Sequence, residues 1–403
     1  MHAVVFTISC TTARVLHRSG RLVRSRCFFM LCLVSALAST SCGVESSDRS
    51  GRAEILIGEF GSLTGSSATM GISTHNGIAM AQDKANESGG AAGKKVRVIV
   101  EDDRGKPEEV QTVVTRLITK YGVSAILGET TSTRSIAAAP IAQQSHIPMV
   151  TPASTNPRLT KFGDYIFRIC FTDAFPSSLM AKFVSSRLNL RNLAVLRDIK
   201  NDYSVDLADV FAADFRKMGG VIVADESYSE GDIDFSAQLT KIKSLNPQAI
   251  FVPGYYSEVG LIARQARQLG LTAMLLGGGS WDSPKLLEIA GDSLEGSYFF
   301  NHFSAGDPKP VIREFVSEYK KRFDQIPDVF AALAFDAAGV LFDAIRRANS
   351  ADPAKIRDAL AQTKDYAGVT GTITIDKDRN AAKPVVFLRI ADRKVEYIAT
   401  VDP

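Results

Sequence analysis

The alternation of two kinds of segment from Ala53 onward constrains the fold of this chain more than any other feature. Short runs rich in β-branched residues, such as Glu54 to Glu59, are each followed by a longer amphipathic run, such as Ile72 to Ser88. This order predicts parallel strands joined by covering helices, because parallel neighbours need a crossover connection. The series pauses after Arg168 and restarts at Thr172. We therefore predict an α/β fold with two doubly wound parallel-sheet lobes.

The first 41 residues do not fit this alternation. They contain five arginines and no acidic residue, then an apolar run from Cys27 to Ala38, then small residues up to Cys42. The apolar run is shorter than the roughly 20 residues of a membrane span, so we predict a signal peptide over residues 1–41. A polar, Ser-rich tether follows over residues 42–52. The protein is therefore expected to be exported, to the periplasm or the cell surface.

Cys42 is the predicted site of lipid attachment. The segment Leu37 to Ser41 before it resembles the cleavage site of bacterial lipoproteins, although Ser39 stands where an aliphatic residue is usual. Ordinary signal cleavage nearby is the alternative, since small residues before the cut suit both. If Cys42 is acylated, the mature chain keeps Cys170 as its remaining cysteine, so it has no disulfide framework and must rely on its core.

The formal net charge of +3 comes from the leader. Without the five leader arginines, 42 basic residues face 44 acidic ones. This balance gives no reason to expect a nucleic-acid partner.

Two hydroxyl-rich turns in the first half are candidate ligand contacts, because ligands of open α/β sheets bind beyond the carboxyl ends of the strands. One holds Ser132 and Thr133, between a strand end and a helix start; the other, Val150 to Thr160, holds Ser154 and Thr155. Hydroxyls and unpaired N–H groups at a helix N-terminus favour a carboxylate. Simple helix capping is the alternative, and the residues alone leave both interpretations open.

The strand ends of the second half carry aromatic and acidic residues. They include Asp202 with Tyr203, then Tyr255 with Tyr256, and Asp282 after a run of glycines. Aromatic faces beside an acid could cover an apolar group and pair with an ammonium. Half-buried packing of the tyrosines explains the same pattern, so this too stays open.

Catalytic and metal-binding patterns are weak. His75, His146 and His302 have no accompanying nucleophile motif, and the glycines near Gly278 lack the spacing of a dinucleotide site. Asp102 and Asp103 are more readily a solvated or capping pair than metal ligands. We therefore predict no enzyme activity, no cofactor and no metal.

Several motifs, each weak alone, occur in a characteristic order. From about Ala53 to Val401 the chain resembles the branched-chain amino acid binding proteins of ABC transporters, which have the type I periplasmic binding fold. The matching segments are Gly61-Ser62-Leu63-Thr64-Gly65, Asn76-Gly77, Asp102-Asp103, Thr151 to Thr160, Gly254-Tyr255-Tyr256, Arg264-Gln265-Ala266-Arg267, Ile289-Ala290-Gly291-Asp292 and Ala334-Phe335-Asp336-Ala337.

The resemblance implies two lobes joined by a multi-strand hinge and closing on a small ligand, which is then presented to a membrane permease. Residues 53–171 and 302–370 would form the N-terminal lobe, and residues 172–301 and 371–403 the C-terminal lobe. The implied function is an extracytoplasmic solute-binding protein for an amino acid or a related small carboxylate or amide. A ligand-sensing receptor that signals to a membrane partner is the alternative.

The resemblance also implies roles for single residues. Ser132 and Thr155 would hold the ligand carboxylate with help from backbone N–H groups, and the Ala153 carbonyl would face the ammonium. Thr133 and Ser154 remain candidate contacts from the two hydroxyl-rich turns themselves. Three further residues would line the side-chain pocket and the closing face: Met70, Tyr203 and Tyr255.

One departure concerns the ammonium. Gly279 stands where the family often has an acid, which leaves Asp282 or Asp202 as substitutes. The cysteine pair of some relatives is also missing, with Gly105 and Thr131 in its place.

Overall fold

The computed structural model describes residues 51–402, which belong to one compact unit. The predicted signal peptide, Cys42 and all but the end of the predicted tether lie outside the described residues. Among residues 51–402, no helix combines the length and the apolar character needed to cross a membrane.

The first sheet contains five parallel strands in the order β2-β1-β3-β4-β5. Its central strands are apolar and buried from both sides, as parallel strands covered by helices should be. The strands are β1 (Glu54–Gly61), β2 (Lys95–Asp102), β3 (Ala125–Leu127), β4 (Met149–Thr151) and β5 (Ile166–Arg168). The helices between them are α1 (Ala68–Glu87), α2 (Pro107–Arg116) and α3 (Ser132–Gln144).

The next part of the chain repeats this construction. Its strands are β6 (Asn192–Asp198), β7 (Val221–Tyr228), β8 (Ala249–Phe251), β9 (Met274–Gly277) and β10 (Tyr298–Asn301). Its helices are α4 (Ala174–Lys182), α5 (Asp202–Lys217), α6 (Ser236–Ser244), α7 (Tyr256–Gln268) and α8 (Pro284–Ala290). Asn201 caps α5 by accepting hydrogen bonds from the N–H groups of Tyr203 and Ser204, which fixes the helix start beside the end of β6.

The remaining chain holds three helices and four strands: α9 (Pro310–Phe323), α10 (Val329–Ala348), α11 (Pro353–Ala361), β11 (Tyr366–Gly368), β12 (Gly371–Ile373), β13 (Val385–Ala391) and β14 (Lys394–Val401). Strands β13 and β14 add antiparallel to β10, which gives a seven-stranded sheet in the order β14-β13-β10-β9-β8-β6-β7. The predicted α/β fold with two parallel sheets is confirmed, with this antiparallel extension at one edge. The sequence alone does not indicate β14, because most side chains of this strand are exposed and carry no burial pattern.

Helix α10 connects the two halves of the core. Its first turns, at Val329, Phe330 and Leu333, pack with the second-sheet core, whereas Val340, Leu341 and Ile345 pack with the first-sheet core. The chain returns to the first-sheet core at Ile373 and Ile375 before it enters β13. It therefore passes between the sheets three times. The exact lobe boundaries given above stay a prediction.

Candidate functional site

A cavity lies between the strand ends of the two sheets. Its walls come from turns that follow β3, β4, β5, β8, β9 and β10, and from the starts of α1, α5 and α10. The lining residues are Met70, Thr130, Thr131, Ser132, Ala153, Thr155, Phe171, Tyr203, Tyr255, Gly279, Ser280, Phe300, His302, Val329, Phe330 and Leu333. Six of the nine ligand contacts predicted from the sequence are among them: Met70, Ser132, Ala153, Thr155, Tyr203 and Tyr255.

The cavity is small. The centre of a water molecule can occupy about 30 Å³ of it. For a spherical space of this size, adding a layer of one water radius, about 1.4 Å, gives a void of roughly 150 Å³, the volume of about five liquid waters. A space of this size accommodates one small molecule with the sheets in the arrangement described here.

The start of α3 forms one end of the cavity. Thr131 has extended backbone angles and Ser132 is the first helical residue, so the N–H groups of this first turn have no acceptor within the helix. The Ser132 hydroxyl oxygen accepts a hydrogen bond from the Asn156 N–H at 3.3 Å, which ties α3 to the turn after β4. The Thr131 N–H and hydroxyl already donate to Oε2 of Glu129, whose carboxylate is paired with Arg134. The donors left at this end are the N–H groups of the first helical turn, which with the positive end of the helix dipole suit an anion.

Thr155 is the second polar group at this end. Its side chain is buried, and its Oγ1 has no partner with good hydrogen-bond geometry within residues 51–402. The carboxyl of Asp173 is its polar neighbour; burial raises the pKa of that carboxyl, and the Thr155 side chain offsets part of this rise. A buried hydroxyl without a partner is costly in a folded protein, so such groups often mark a place where a ligand supplies the missing bond.

Buried groups hold the turn that carries Thr155 from inside the protein. Arg168, on β5 and fully buried, donates from Nη1 to the Ser154 carbonyl (3.0 Å) and from Nη2 to the Asn156 carbonyl (2.8 Å). The Thr155 carbonyl accepts from the Asp173 N–H at 3.2 Å. Three successive carbonyl oxygens are thus bound by β5 and the residues after it. The backbone of this turn is therefore fixed independently of the Thr155 hydroxyl.

Two tyrosines form part of the opposite wall. The rings of Tyr203 and Tyr255 lie nearly parallel, 4° apart in orientation, with centroids separated by 5.8 Å. The Tyr203 hydroxyl accepts from the Ser280 hydroxyl at 3.1 Å, and the Tyr255 hydroxyl donates to Asn201 Oδ1 at 3.5 Å. Burial raises the pKa of both phenols, so both are neutral at physiological pH.

His302 is a lining residue that the sequence interpretation missed. Its ring stacks on Phe171 with centroids 3.4 Å apart, and burial lowers its pKa well below the ordinary value. Its Nδ1 has no partner within the described chain. The signal that could have found it is its position directly after β10, the same strand-end position that identified the other turns. Phe171, Phe300 and Phe330 were missed because their sequence context does not distinguish them from core residues.

Three predicted contacts lie outside the lining because other groups occupy their polar atoms. Thr133 Oγ1 accepts from the Asp202 N–H at 3.0 Å. The Ser154 hydroxyl is buried against the carbonyls of Thr131 (2.9 Å) and Glu129 (3.2 Å). Asp282 Oδ2 accepts from Asn301 Nδ2 (2.8 Å) and from the Val329 N–H (2.9 Å), and burial raises the pKa of this carboxyl to about 6.

Direct contacts connect the two halves around the cavity. Asp202 makes three of these contacts. Its N–H donates to Thr133 Oγ1, its backbone carbonyl accepts from Asn156 Nδ2 (3.0 Å), and its carboxylate accepts from Arg158 Nη1 (3.2 Å). On another side, the Tyr256 hydroxyl donates to the Ser66 carbonyl at 2.7 Å. The arrangement is thus a cleft closed over a small space. Within residues 51–402, no group of three or more His, Cys, Asp or Glu side chains is placed to hold a metal ion.

Comparison with known proteins agrees with this geometry. The model of the family described as periplasmic binding protein matches residues 54–394. The Leu/Ile/Val-binding protein homolog 3 of Brucella melitensis is 31% identical over 335 residues, which are 82% of this chain and 90% of the relative.

Two solved structures show the same similarity. The branched-chain amino acid transporter substrate-binding protein LivJ of Streptococcus pneumoniae, in complex with isoleucine, is 34% identical with a TM-score of 0.82. The match covers 87% of this chain and 100% of that one. An ABC transporter solute-binding protein of Rhodopseudomonas palustris, in complex with 3,4-dihydroxybenzoic acid, is 26% identical with a TM-score of 0.80 and coverage of 87% and 98%.

Proposed function

This chain belongs to the periplasmic binding protein family, and from that premise we propose that it binds a small carboxylate in its cleft for delivery to a membrane permease. It is an extracytoplasmic solute-binding protein of the ABC-transporter class. The class of ligand, the residues that hold it and the permease partner belong to the proposal.

The start of α3, together with the partnerless Thr155 hydroxyl, carries the proposal. Both lie at one end of the cavity, where they offer N–H and O–H donors and a helix dipole to an anion. The ligands of the two solved relatives, isoleucine and 3,4-dihydroxybenzoic acid, have little in common except a carboxyl group. These two ligands share a carboxylate and differ in the rest of the molecule. A cavity whose polar donors lie at one end, at the start of α3, suits ligands of this kind.

Binding is coupled to closure of the cleft. The contacts of Asp202 and Tyr256 between the two halves form only when the strand ends approach each other, so a ligand that fits between them favours the closed form as a population shift.

Isothermal titration tests the proposal. The panel contains amino acids, aliphatic and aromatic carboxylates, and amides, and each compound is titrated into wild type, Ser132→Ala, Thr155→Ala and Ser88→Ala. Ser88 is an exposed residue at the end of α1 whose hydroxyl contacts only Lys84 in its own helix, so its substitution is a matched control. We expect at least one carboxylate to bind wild type and the control alike, and both site variants to bind it at least tenfold more weakly. Wild-type affinity in both site variants would remove the anion site.

Membrane anchoring through Cys42 is part of the same proposal. Labelling of cells with a palmitate analogue should mark the wild-type protein and leave Cys42→Ala unlabelled and released from the membrane fraction. Equal labelling of both would contradict the anchor.

A further inference from the structure

The lining of the cavity carries no ionised side chain. Among its residues, all within the described chain, there is no Asp, Glu, Lys or Arg. His302 is the one lining side chain that could become a cation near neutral pH, and burial keeps its ring neutral. A ligand with a positive charge would therefore enter a space without a negative partner.

The acids around the cavity are paired or protonated. Glu129 and Glu230 form ion pairs with the buried Arg134. Asp173, beside Thr155, is fully buried, and burial raises the pKa of its carboxyl to about 8, so this group is neutral at pH 7.

Asp282 uses Oδ2 for Asn301 and for the start of α10, and Asp202 lies outside the lining with its carboxylate on Arg158. Gly279, where the resemblance leads us to expect an acid, contributes only backbone. What remains for an ammonium is neutral acceptors such as the Ala153 carbonyl. A buried charge needs a partner or a full set of hydrogen bonds, so this arrangement disfavours a zwitterion.

The rest of the wall suits an apolar or aromatic body. Six rings face the cavity, from Phe171, Tyr203, Tyr255, Phe300, Phe330 and His302. Among them, Phe171 and His302 are stacked, as are Tyr203 and Tyr255. Such walls pack against flat or branched hydrocarbon and add little for a polar group.

We propose that the ligand of this cavity is a monocarboxylate with an apolar or aromatic body and no ammonium group. The inference rests on the proposed function, since it uses the same anion site at the start of α3. It assigns Gly279 the role of selecting against amino acids by the absence of a carboxylate.

The test compares molecules that differ by the ammonium alone. Wild-type protein is titrated with L-phenylalanine against 3-phenylpropanoate, and with L-leucine against 4-methylpentanoate; benzoate extends the acid series. We expect the acid of each pair to bind at least tenfold more tightly than its amino acid. Amino acids that bind as tightly as their acids, or more tightly, would overturn the inference and leave the proposed function standing. If neither series binds, the proposed function fails, and the inference fails with it.

Titration with an amide tests whether the cavity requires the negative charge of a carboxylate or accepts a neutral ligand of the same size. 3-Phenylpropanamide has the same body as 3-phenylpropanoate without the charge. Tenfold weaker binding of the amide is expected, because the α3 end offers donors and no ionised acceptor. Equal binding of acid and amide would overturn the assignment of a carboxylate.

Gly279→Glu tests the selecting position directly, with Gly279→Gln as the uncharged control. A Cβ at Gly279 meets Asn301 Oδ1 at 3.2 Å and His302 Cδ2 at 3.8 Å, so the neighbours must move by only a few tenths of an ångström. We expect the Glu variant to shift the ratio of acid to amino acid affinity by at least tenfold toward the amino acid, and the Gln variant to leave it within threefold of wild type. A ratio that moves equally in both variants would overturn the role of Gly279.

Discussion

Replacing Thr155 by valine should weaken ligand binding and leave the ligand-free protein as stable as before or more stable. The two side chains have nearly the same shape, so the change removes a hydroxyl and keeps the packing. Thr155 Oγ1 is buried and has no partner within the described residues. In the closed form without a ligand the hydroxyl therefore adds a desolvation cost, which its proximity to the Asp173 carboxyl offsets only in part.

The expected magnitudes follow from these contacts. An unsatisfied buried polar group costs about 1–3 kcal/mol, and we expect valine to recover up to about 1 kcal/mol of it after its own packing adjustments. In the complex, valine loses a hydrogen bond to a carboxylate, which is worth about 1.5–3 kcal/mol. At about 1.4 kcal/mol per factor of ten, the affinity falls roughly 10- to 150-fold.

In Thr155→Val we expect the stability without ligand to be unchanged or higher and the affinity for ligand to be lower. Urea unfolding without ligand reports the free energy of unfolding, and titration with the tightest carboxylate reports the affinity. Thr160→Val is the matched control on the same turn: its Oγ1 donates to Asn380 Oδ1 at 3.3 Å and lies outside the lining. The control should lose about 0.5–1.5 kcal/mol of stability and no affinity. Unchanged affinity in Thr155→Val, or a loss of more than about 1 kcal/mol in its stability, would refute the reasoning.

Three further predictions concern closure, titration and packing. Tyr256→Phe removes the 2.7 Å hydrogen bond to the Ser66 carbonyl, which stabilises the closed form by about 0.5–1.5 kcal/mol. Dissociation of the bound carboxylate, measured by stopped flow, should therefore be roughly 2- to 12-fold faster. An unchanged rate would exclude this contact from closure. Burial raises the pKa of Asp173 to about 8, above its unfolded value of about 3.9, so the contribution of the protonated group is fully present below about pH 4 and is lost between about pH 4 and pH 8. Asp173→Asn should therefore be at least about 1 kcal/mol more stable than wild type in urea at pH 9 and similar to it at pH 4, whereas a pH-independent difference would contradict the assignment. Gly71→Ala places a Cβ 2.0 Å from the Ser62 carbonyl oxygen and should cost about 1–3 kcal/mol of stability, whereas Gly61→Ala meets no atom within 4 Å; equal urea midpoints for the two variants would count against the close approach.

The sequence predicts the elements of the first sheet well because its strands and helices have distinct patterns. The runs Glu54 to Glu59 and Ile72 to Ser88 have the patterns of a strand and a helix, and the structure has β1 and α1 at nearly the same places. Strand β14 could not be predicted in this way, because the side chains of this edge strand are mostly exposed and show no alternation of buried and exposed positions. Its pairing with β13 is a property of the assembled sheet.

For the site, the sequence predicts which residues lie near the cavity but not which of their polar atoms already have hydrogen-bond partners. Strand-end position identified Ser132, Thr155, Tyr203 and Tyr255, all of which line the cavity. Position alone could not show which hydroxyls are already bound. Ser154 and Thr155 are neighbours of the same kind, yet Ser154 is used by buried carbonyls and Thr155 has no partner within the described chain.

The role of Arg168 in supporting this turn could not be predicted either. The sequence shows an arginine at the end of a short strand, but not which carbonyl oxygens it binds. Its contacts with the Ser154 and Asn156 carbonyls depend on the path of a turn that the sequence does not specify.

The support of that turn by Arg168 has a consequence for how the cargo of such a receptor can change. The backbone that presents Thr155 is fixed by a side chain that does not line the cavity, so it does not depend on what the other wall contains. Substitutions on the second-sheet side, at Gly279 or among the rings, can then exchange one cargo for another while the carboxylate end keeps its shape. A descendant lineage or a protein engineer can thus alter what is transported one residue at a time without rebuilding the part that holds the acid.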